Sequence, residues 1–286
     1  MTVLTEVFGE DDAGASVRGK RHRPPQPITD LEARYLDYMT AEAMRVDTIR
    51  QRIYLLRGLD DPLHATADDI INMINARELS QHSKAAYISV LKTVFADLVR
   101  IGALVHNPTD RLKTPRTPRR RPRPLSSDQI NALLGLQDTH PREYAFTVLG
   151  SFAGLRAGEV GELPGTALAY ANGGPVLRLQ GKGGLVAEIP AHQRVVDVLT
   201  PHKGVSEPIW DMWPQSVNRA WQRAAKTVGV TDAVFHQLRH SFATRLTRAG
   251  VDLLVIAEVC RHSSVATTQR YAAVADEAPF QAVAGL

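Results

Sequence analysis

The sequence predicts a mainly α-helical protein of two domains, with one small antiparallel β-sheet in the second. Three observations predict it. At 286 residues the chain is long enough to bury two separate cores. Apolar residues recur at helical spacing along most of it, and a two-residue period replaces that spacing only at 175–190. Between the two helical regions, residues 111–124 mix seven cations with four prolines, a composition that suits a connector and no element interior.

Bulk properties exclude several classes. Apolar content of 44% is a globular value, which rules out a wholly disordered chain. No apolar run approaches the roughly 18 residues of a membrane span, and no signal-peptide pattern opens the chain, so no membrane partner is expected. A single cysteine, Cys260, excludes an internal disulfide framework and suits a reducing cytoplasm, the expected location. Net charge of +4 raises the odds of a nucleic-acid partner only modestly; its distribution says more.

Residues 1–28 read as a disordered tail, with acidic Glu6, Glu10, Asp11 and Asp12 followed by basic Arg18, Lys20, Arg21 and Arg23. Thr29 can then cap a helix carrying Leu31, Tyr35, Leu36 and Met39 on one side. A second helix over about 47–58 aligns Ile49, Ile53 and Leu56 and stops at Gly58. The third opens near Thr66 with Asp68 and Asp69 in its first turn and carries Ile70, Ile71 and Ile74. Ser80 and Gly102 bracket a fourth, with Tyr87, Leu91, Val94, Phe95 and Leu98 as its apolar face and Lys84, Lys92 and Arg100 at polar positions. Four amphipathic helices joined by short loops make a helical bundle over 29–110.

The connector contributes Arg111, Lys113, Arg116, Arg119, Arg120, Arg121 and Arg123. Cations on an extended strand can follow a phosphate backbone and release its condensed counterions. Beyond it, Ser126 caps a helix reaching Leu136, and another runs from about Pro141 to Ala153. Val176–Leu179 and Val186–Ile189 alternate around Gly181-Lys182-Gly183-Gly184, a hairpin signal. Helical patterns return at about 192–200, 215–228, 236–249, 252–259 and 264–272.

The residues that carry chemistry lie in this second region, at 125–275. Arg156 sits between glycines in Ala153-Gly154-Leu155-Arg156-Ala157-Gly158-Glu159, where a helix breaks and its side chain can enter a cleft. A planar guanidinium matches two phosphate oxygens in a way lysine cannot, and Glu159 can hold it or orient a neighbouring histidine. His236 and Arg239, spaced i, i+3, share a helix face; Arg239 can complete a clamp on the same phosphate, while His240 points towards the flank of the same site, in a supporting place, or towards the core. A neutral His236 can accept a proton near working pH, and His262 can donate a hydrogen bond where negative charge develops. Tyr271, nine residues after His262 in a polar Thr-Thr-Gln-Arg setting, is a candidate nucleophile. Lys182 on its glycine-rich turn can protonate a leaving oxygen. This set breaks a phosphodiester with neither metal nor cofactor, and none is expected; no carboxylate cluster accompanies the histidines, which disfavours a metal-dependent nuclease.

Arg156, Lys182, His236-x-x-Arg239, His262 and Tyr271, in that order, resemble the catalytic set of the tyrosine recombinases, the phage integrase family. The resemblance covers about 29–275. It implies a core-binding bundle that grips DNA through residues such as Lys84 and Lys92, a DNA-tracking linker and a catalytic domain. It also implies a homotetramer assembled on double-stranded attachment sites from monomers in solution, with 3′-phosphotyrosyl intermediates and, in some members, accessory proteins. Integration or excision of phage or mobile-element DNA is the expected role. A Xer-like chromosome-dimer resolvase, a type IB topoisomerase and a non-catalytic DNA-binding regulator on the same fold are the alternatives. Three departures stand out. Arg261 occupies a position where the family usually has glycine. Residues Val160–Gly165 lack the usual continuation after Glu159. The tail before Thr29 is too short for an arm-type DNA-binding domain. The family also implies that the segment after Tyr271, with Phe280 as its anchor, packs on a neighbouring protomer. The last five residues, Ala282–Leu286, resemble tags read by bacterial proteases.

Overall fold

A computed structural model of the chain describes residues 29–117, 122–171, 173–180, 186–262 and 268. The expectations for the N-terminal tail, Arg119, Arg120, Arg121, Lys182, the helix over 264–272, Tyr271 and the C-terminal tail lie outside those residues, apart from Thr268. The chain divides into two compact units on either side of residues 119 and 120.

The first unit is the four-helix arrangement that the spacing predicts: α1 (Asp30–Ala41), α2 (Val46–Leu56), α3 (Ala67–Asn75) and α4 (Gln81–Arg100). Thr29 and Thr66 start α1 and α3 with reciprocal caps, each hydroxyl accepting from the third backbone N–H while Glu32 or Asp69 accepts from the cap residue. Ser80 starts α4 in the same way from one side. Tyr35, Met39, Ile53, Leu56, Ile70, Leu91 and Phe95 form a fully covered core. One carboxylate lies at its edge. Asp97 is 3% exposed and takes Arg52 at 2.7 Å, Arg100 at 2.9 Å, and the hydroxyls of Tyr35 and Tyr38 at 3.3 and 3.4 Å. Four donors on one buried anion offset the cost of removing it from water. Arg100 is therefore a structural partner as well as a polar-face cation.

The second unit begins with Leu125 in its core. Then come α5 (Ser127–Leu134), capped by Ser126, and α6 (Pro141–Phe152), which has proline in its first turn. Helix α6 is buried on nearly every side and becomes the axis of the unit. Its Thr147 accepts the indole N–H of Trp221 at 2.9 Å. After the short α7 (Ala157–Gly161) the chain forms β1 (Leu168–Ala171), β2 (Gly174–Gln180) and β3 (Val186–Pro190). Next are α8 (Gln193–Leu199), α9 (Pro214–Thr227), α10 (His236–Arg248) and α11 (Leu253–Val259).

The sheet is antiparallel in the order β1-β2-β3, with Leu177 facing Leu168 on one side and Ile189 on the other. It therefore has one strand more than the expected hairpin. Strand β1 reads Leu-Ala-Tyr-Ala, too short and too poor in β-branched residues to announce itself; its pairing with β2 makes it a strand.

The unusual segment after Glu159 owes its composition to packing. A side-chain carbon at Gly161 would lie 1.9 Å from the Met212 carbonyl oxygen, and one at Gly165 would lie 1.7 Å from that of His202. Two backbone stretches approach here without side chains between them, and Ile209 donates to the Leu163 carbonyl at 2.9 Å. Gly161→Ala is expected to destabilise the unit by about 3 kcal/mol through overpacking. Urea unfolding followed by the fluorescence of the unit's tryptophans, Trp210, Trp213 and Trp221, measures it, and a midpoint equal to wild type would refute the close approach.

Candidate active site

Three chain segments of the second unit meet at the site, and each owes its course to a local signal. Helix α6 ends because Gly154 adopts φ +62°, a left-handed conformation. The same glycine admits the Phe242 ring, which would stand 2.7 Å from any added side-chain carbon. Arg156 follows as the residue that caps α7. An arginine side chain has no acceptor to offer its helix, so Glu159 works alone, taking the Arg156 backbone N–H at 2.8 Å. The second segment is the first turn of α10, which presents His236, Arg239 and His240. Asn218 of α9 fixes its start by accepting from the Phe235 N–H at 2.8 Å. The third segment is the end of α11, where Cys260, Arg261 and His262 leave the helix.

Arg156 is half exposed. One guanidinium nitrogen donates to Glu159 Oε1 at 2.7 Å, and another to the carbonyl of Arg261 at 3.1 Å. Glu159 thus holds the arginine, as the sequence suggests. Arg239 lies deeper than Arg156. The sequence reads it as a second arginine that can complete a clamp; in the structure it is 1% exposed. Its two terminal nitrogens donate to main-chain carbonyls, of Gly154 at 2.5 Å and of Cys260. One guanidinium therefore ties all three segments together. Burial and the neighbouring Arg156 lower its pKa to about 10, which leaves it cationic at neutral pH.

The histidines divide the other way. Burial, then Arg239 and Arg156, hold His236 below its ordinary pKa. Burial, then Arg239, Arg156 and Arg261, push His262 down to about 4. Both imidazoles are neutral at physiological pH. His262 Nδ1 lies 2.8 Å from the hydroxyl of Thr268, a fully buried residue. With the hydroxyl as donor, the other ring nitrogen carries the proton. His240 stands on the flank of the site rather than in the core, one of the two places that the sequence allows it. One helical turn after His236, its ring centre lies 4.6 Å from that of His236, edge to face.

Arg261 has φ +52°, which explains why a glycine suits this position. An L-residue there costs about 1–2 kcal/mol relative to glycine. Its backbone N–H donates to Glu258 at 2.8 Å, and its guanidinium pairs with Glu159 Oε2 at 2.7 Å. Burial works against the Glu159 charge, but Arg261 and the backbone N–H and guanidinium of Arg156 outweigh it and hold the carboxyl below its usual range. Three guanidiniums and one carboxylate make a net charge of +2 beside two neutral imidazoles.

Sequence reasoning missed two parts: the hydroxyl of Thr268 behind His262, signalled only by the Thr-Thr pair, and the Arg261–Glu159 pair, which bridges residues 102 positions apart. It also missed an exposed basic stripe on α9, where Arg219, Arg223 and Lys226 at i, i+4, i+7 line a hollow with Gln222 and Asp232. Of the other candidate DNA contacts, Lys84 donates to Asn75 at 2.9 Å, Lys92 is half buried, and Arg116 and Arg123 are exposed. The Arg123 carbonyl accepts from Gln237 of α10 at 3.0 Å, which anchors the end of the connector to the site helix.

Residues 123–278 match the phage integrase family, and the chain belongs to it: a tyrosine recombinase. It is 30% identical to tyrosine recombinase XerD of Xanthomonas axonopodis pv. citri over 77% of this chain and 80% of that one. It is 27% identical to a tyrosine recombinase of Thermosipho africanus over 85% and 92% of the two chains. The fold is similar to that of lambda integrase in a dimer bound to a core site, with a TM-score of 0.65, 18% identity, and coverage of 84% and 75%. It is likewise similar to the lambda integrase tetramer bound to a Holliday junction, with a TM-score of 0.64, 18% identity, and coverage of 86% and 83%.

The His262 environment predicts a pH dependence. Its folded pKa is depressed, so the unfolded chain binds more protons as pH falls between 6.5 and about 4. The contribution to stability is complete above 6.5 and is lost on acidification through that window. NMR titration should place the His262 midpoint close to 4, and a midpoint at or above 6.5 would contradict the site described.

Proposed function

We propose that this protein cleaves and rejoins double-stranded DNA at specific core sites through a 3′-phosphotyrosyl intermediate, and that it integrates and excises phage or mobile-element DNA. The observation that carries the reading is the gathering of Arg156, Arg239, Arg261, His236 and His262 around Glu159, on three segments that Arg239 joins. A phosphodiester carries one negative charge and its five-coordinate transition state carries more; a fixed net charge of +2 favours the latter. The neutral state of both imidazoles lets each act at working pH.

The proposed chemistry assigns a role to each group. Arg156 grips the nonbridging oxygens with its exposed edge, and Arg239 supplies charge from beneath and aligns the cluster. The phenol oxygen of Tyr271 attacks phosphorus while His236 accepts its proton, with His240 beside it. The bond to the 5′ oxygen breaks and Lys182 delivers a proton to that oxygen. His262, held by Thr268, donates to a nonbridging oxygen. The 5′ hydroxyl of a partner strand then reverses the steps, so the bond energy stays in the phosphotyrosyl ester. The bundle of α1–α4 and the connector, through Lys84, Lys92, Arg116, Arg119, Arg120, Arg121 and Arg123, would hold DNA together with the α9 stripe. Four protomers would act on two duplexes, with accessory proteins where a site requires bending. Such a protein would act in the cytoplasm on the nucleoid.

A second reading has specific support: relatives named XerC and XerD match at 28–32% identity. Under it the substrate would be a chromosome-dimer junction. Core sites selected by the full-length protein from a random duplex library, then located in the host and element genomes, separate the two.

The central test uses such a selected site in a nicked duplex. Wild-type protein should form a protease-sensitive covalent adduct, and Tyr271→Phe should form none. Absence of the adduct, or its persistence in the Phe variant, would overturn the assignment. Replacing Arg219, Arg223 and Lys226 together by alanine should lower the slope of log binding constant against log salt by about 2–3 if each meets a phosphate. An unchanged slope would remove α9 from the interface.

A further inference from the structure

We infer that Arg261 is a positioning residue for this reaction: by taking one oxygen of Glu159, it keeps Arg156 open to the phosphate. This rests on the cleavage chemistry proposed above.

The geometry of Glu159 carries the argument. Its two oxygens are divided: Oε1 accepts from the Arg156 guanidinium at 2.7 Å, and Oε2 accepts from the Arg261 guanidinium at 2.7 Å and from the Arg156 backbone at 2.8 Å. A carboxylate and an arginine left to themselves pair through both oxygens and two nitrogens, the strongest arrangement open to them. Paired that way, Arg156 would give Glu159 the edge that a phosphate needs, and its charge would be cancelled before substrate arrived. Arg261 prevents this. It claims Oε2 from the far side, and its own carbonyl accepts from a different nitrogen of Arg156 at 3.1 Å, which sets the orientation of that guanidinium.

Two further observations show that the arrangement is specific to this side chain. Arg261 holds φ +52°, where glycine would be unstrained, so the side chain has to offset a backbone cost. Its side chain is 12% exposed; one terminal nitrogen donates to the Val259 carbonyl at 3.2 Å, the other pairs with Glu159, and the buried Nε has no hydrogen-bond acceptor among the described residues. Half-exposed Arg156 faces outward while well-buried Arg261 faces the carboxylate. The inner arginine serves the outer one.

The test is made with full-length protein on the nicked selected duplex. Arg261→Gly relieves the backbone conformation and should keep the wild-type melting temperature. Its adduct should nevertheless form about tenfold more slowly at saturating DNA, as expected when a binding group is misplaced. Adding Glu159→Gln to that variant removes the competing charge and should restore most of the rate. In an Arg156→Lys background, which keeps the cluster's charge, Glu159→Gln should give no rescue; rescue there would show that net charge rather than the freed edge of Arg156 sets the rate, and would overturn the inference. Arg261→Met, which keeps the stem and the strained backbone, provides the same comparison if the glycine variant is unstable. Wild-type cleavage in Arg261→Gly, or slow cleavage that Glu159→Gln fails to relieve, overturns the inference. Failure of wild type itself to form the adduct strikes the proposed reaction instead.

Discussion

The catalytic unit depends on one buried guanidinium. Arg239 is almost wholly covered, and its cost in lost hydration is large unless its donors are satisfied. They are satisfied by carbonyls that no helix can use, those of Gly154 past the end of α6 and Cys260 at the end of α11. The requirement works in both directions. Arg239 needs two chain ends to converge on α10, and those chain ends need a multivalent donor for carbonyls left without helical partners. A lysine could not reach both. Burying the arginine thus fixes where Arg156 and His262 stand, since each lies two residues beyond a carbonyl that Arg239 holds.

From that constraint the electrostatics follow. Three arginines within one small volume repel each other, and Glu159 is the carboxylate placed to relieve them. The residual positive field, with burial, keeps His236 and His262 neutral. A histidine in an ordinary solvent-exposed site would be partly protonated near neutral pH and would add charge without accepting a proton. In the proposed reaction the arginines would supply charge and the histidines proton transfer and hydrogen bonding. An arriving phosphate would raise the histidine pKa values toward working pH, the range in which a general base is effective.

Much of this was legible in the sequence because it was written in local signals. Thr29, Thr66, Ser80 and Ser126 each mark a helix start, and the spacing of Tyr35, Ile53, Ile70 and Leu91 marks the faces that meet. The order Arg156, His236-x-x-Arg239, His262 marks the site. What was not legible is long-range or context-made. Strand β1 exists only because β2 lies beside it. The burial of Arg239 depends on carbonyls 85 and 21 positions away. His240 joins His236 because four residues make one helical turn, which decides between the two places, flank or core, that the sequence left open for it. Arg261 looked like a defect in a motif; the structure makes it a partner of Glu159.

The most direct measurement of the Arg239 constraint is hydrogen exchange, read by mass spectrometry, in Arg239→Lys against wild type. One ammonium cannot serve two carbonyls on separate segments, so exchange is predicted to rise together in 153–161 and 253–262, with helices α1–α4 unchanged. Exchange that rises only around the substituted residue in α10, or nowhere, would contradict the claim that this guanidinium holds the site together.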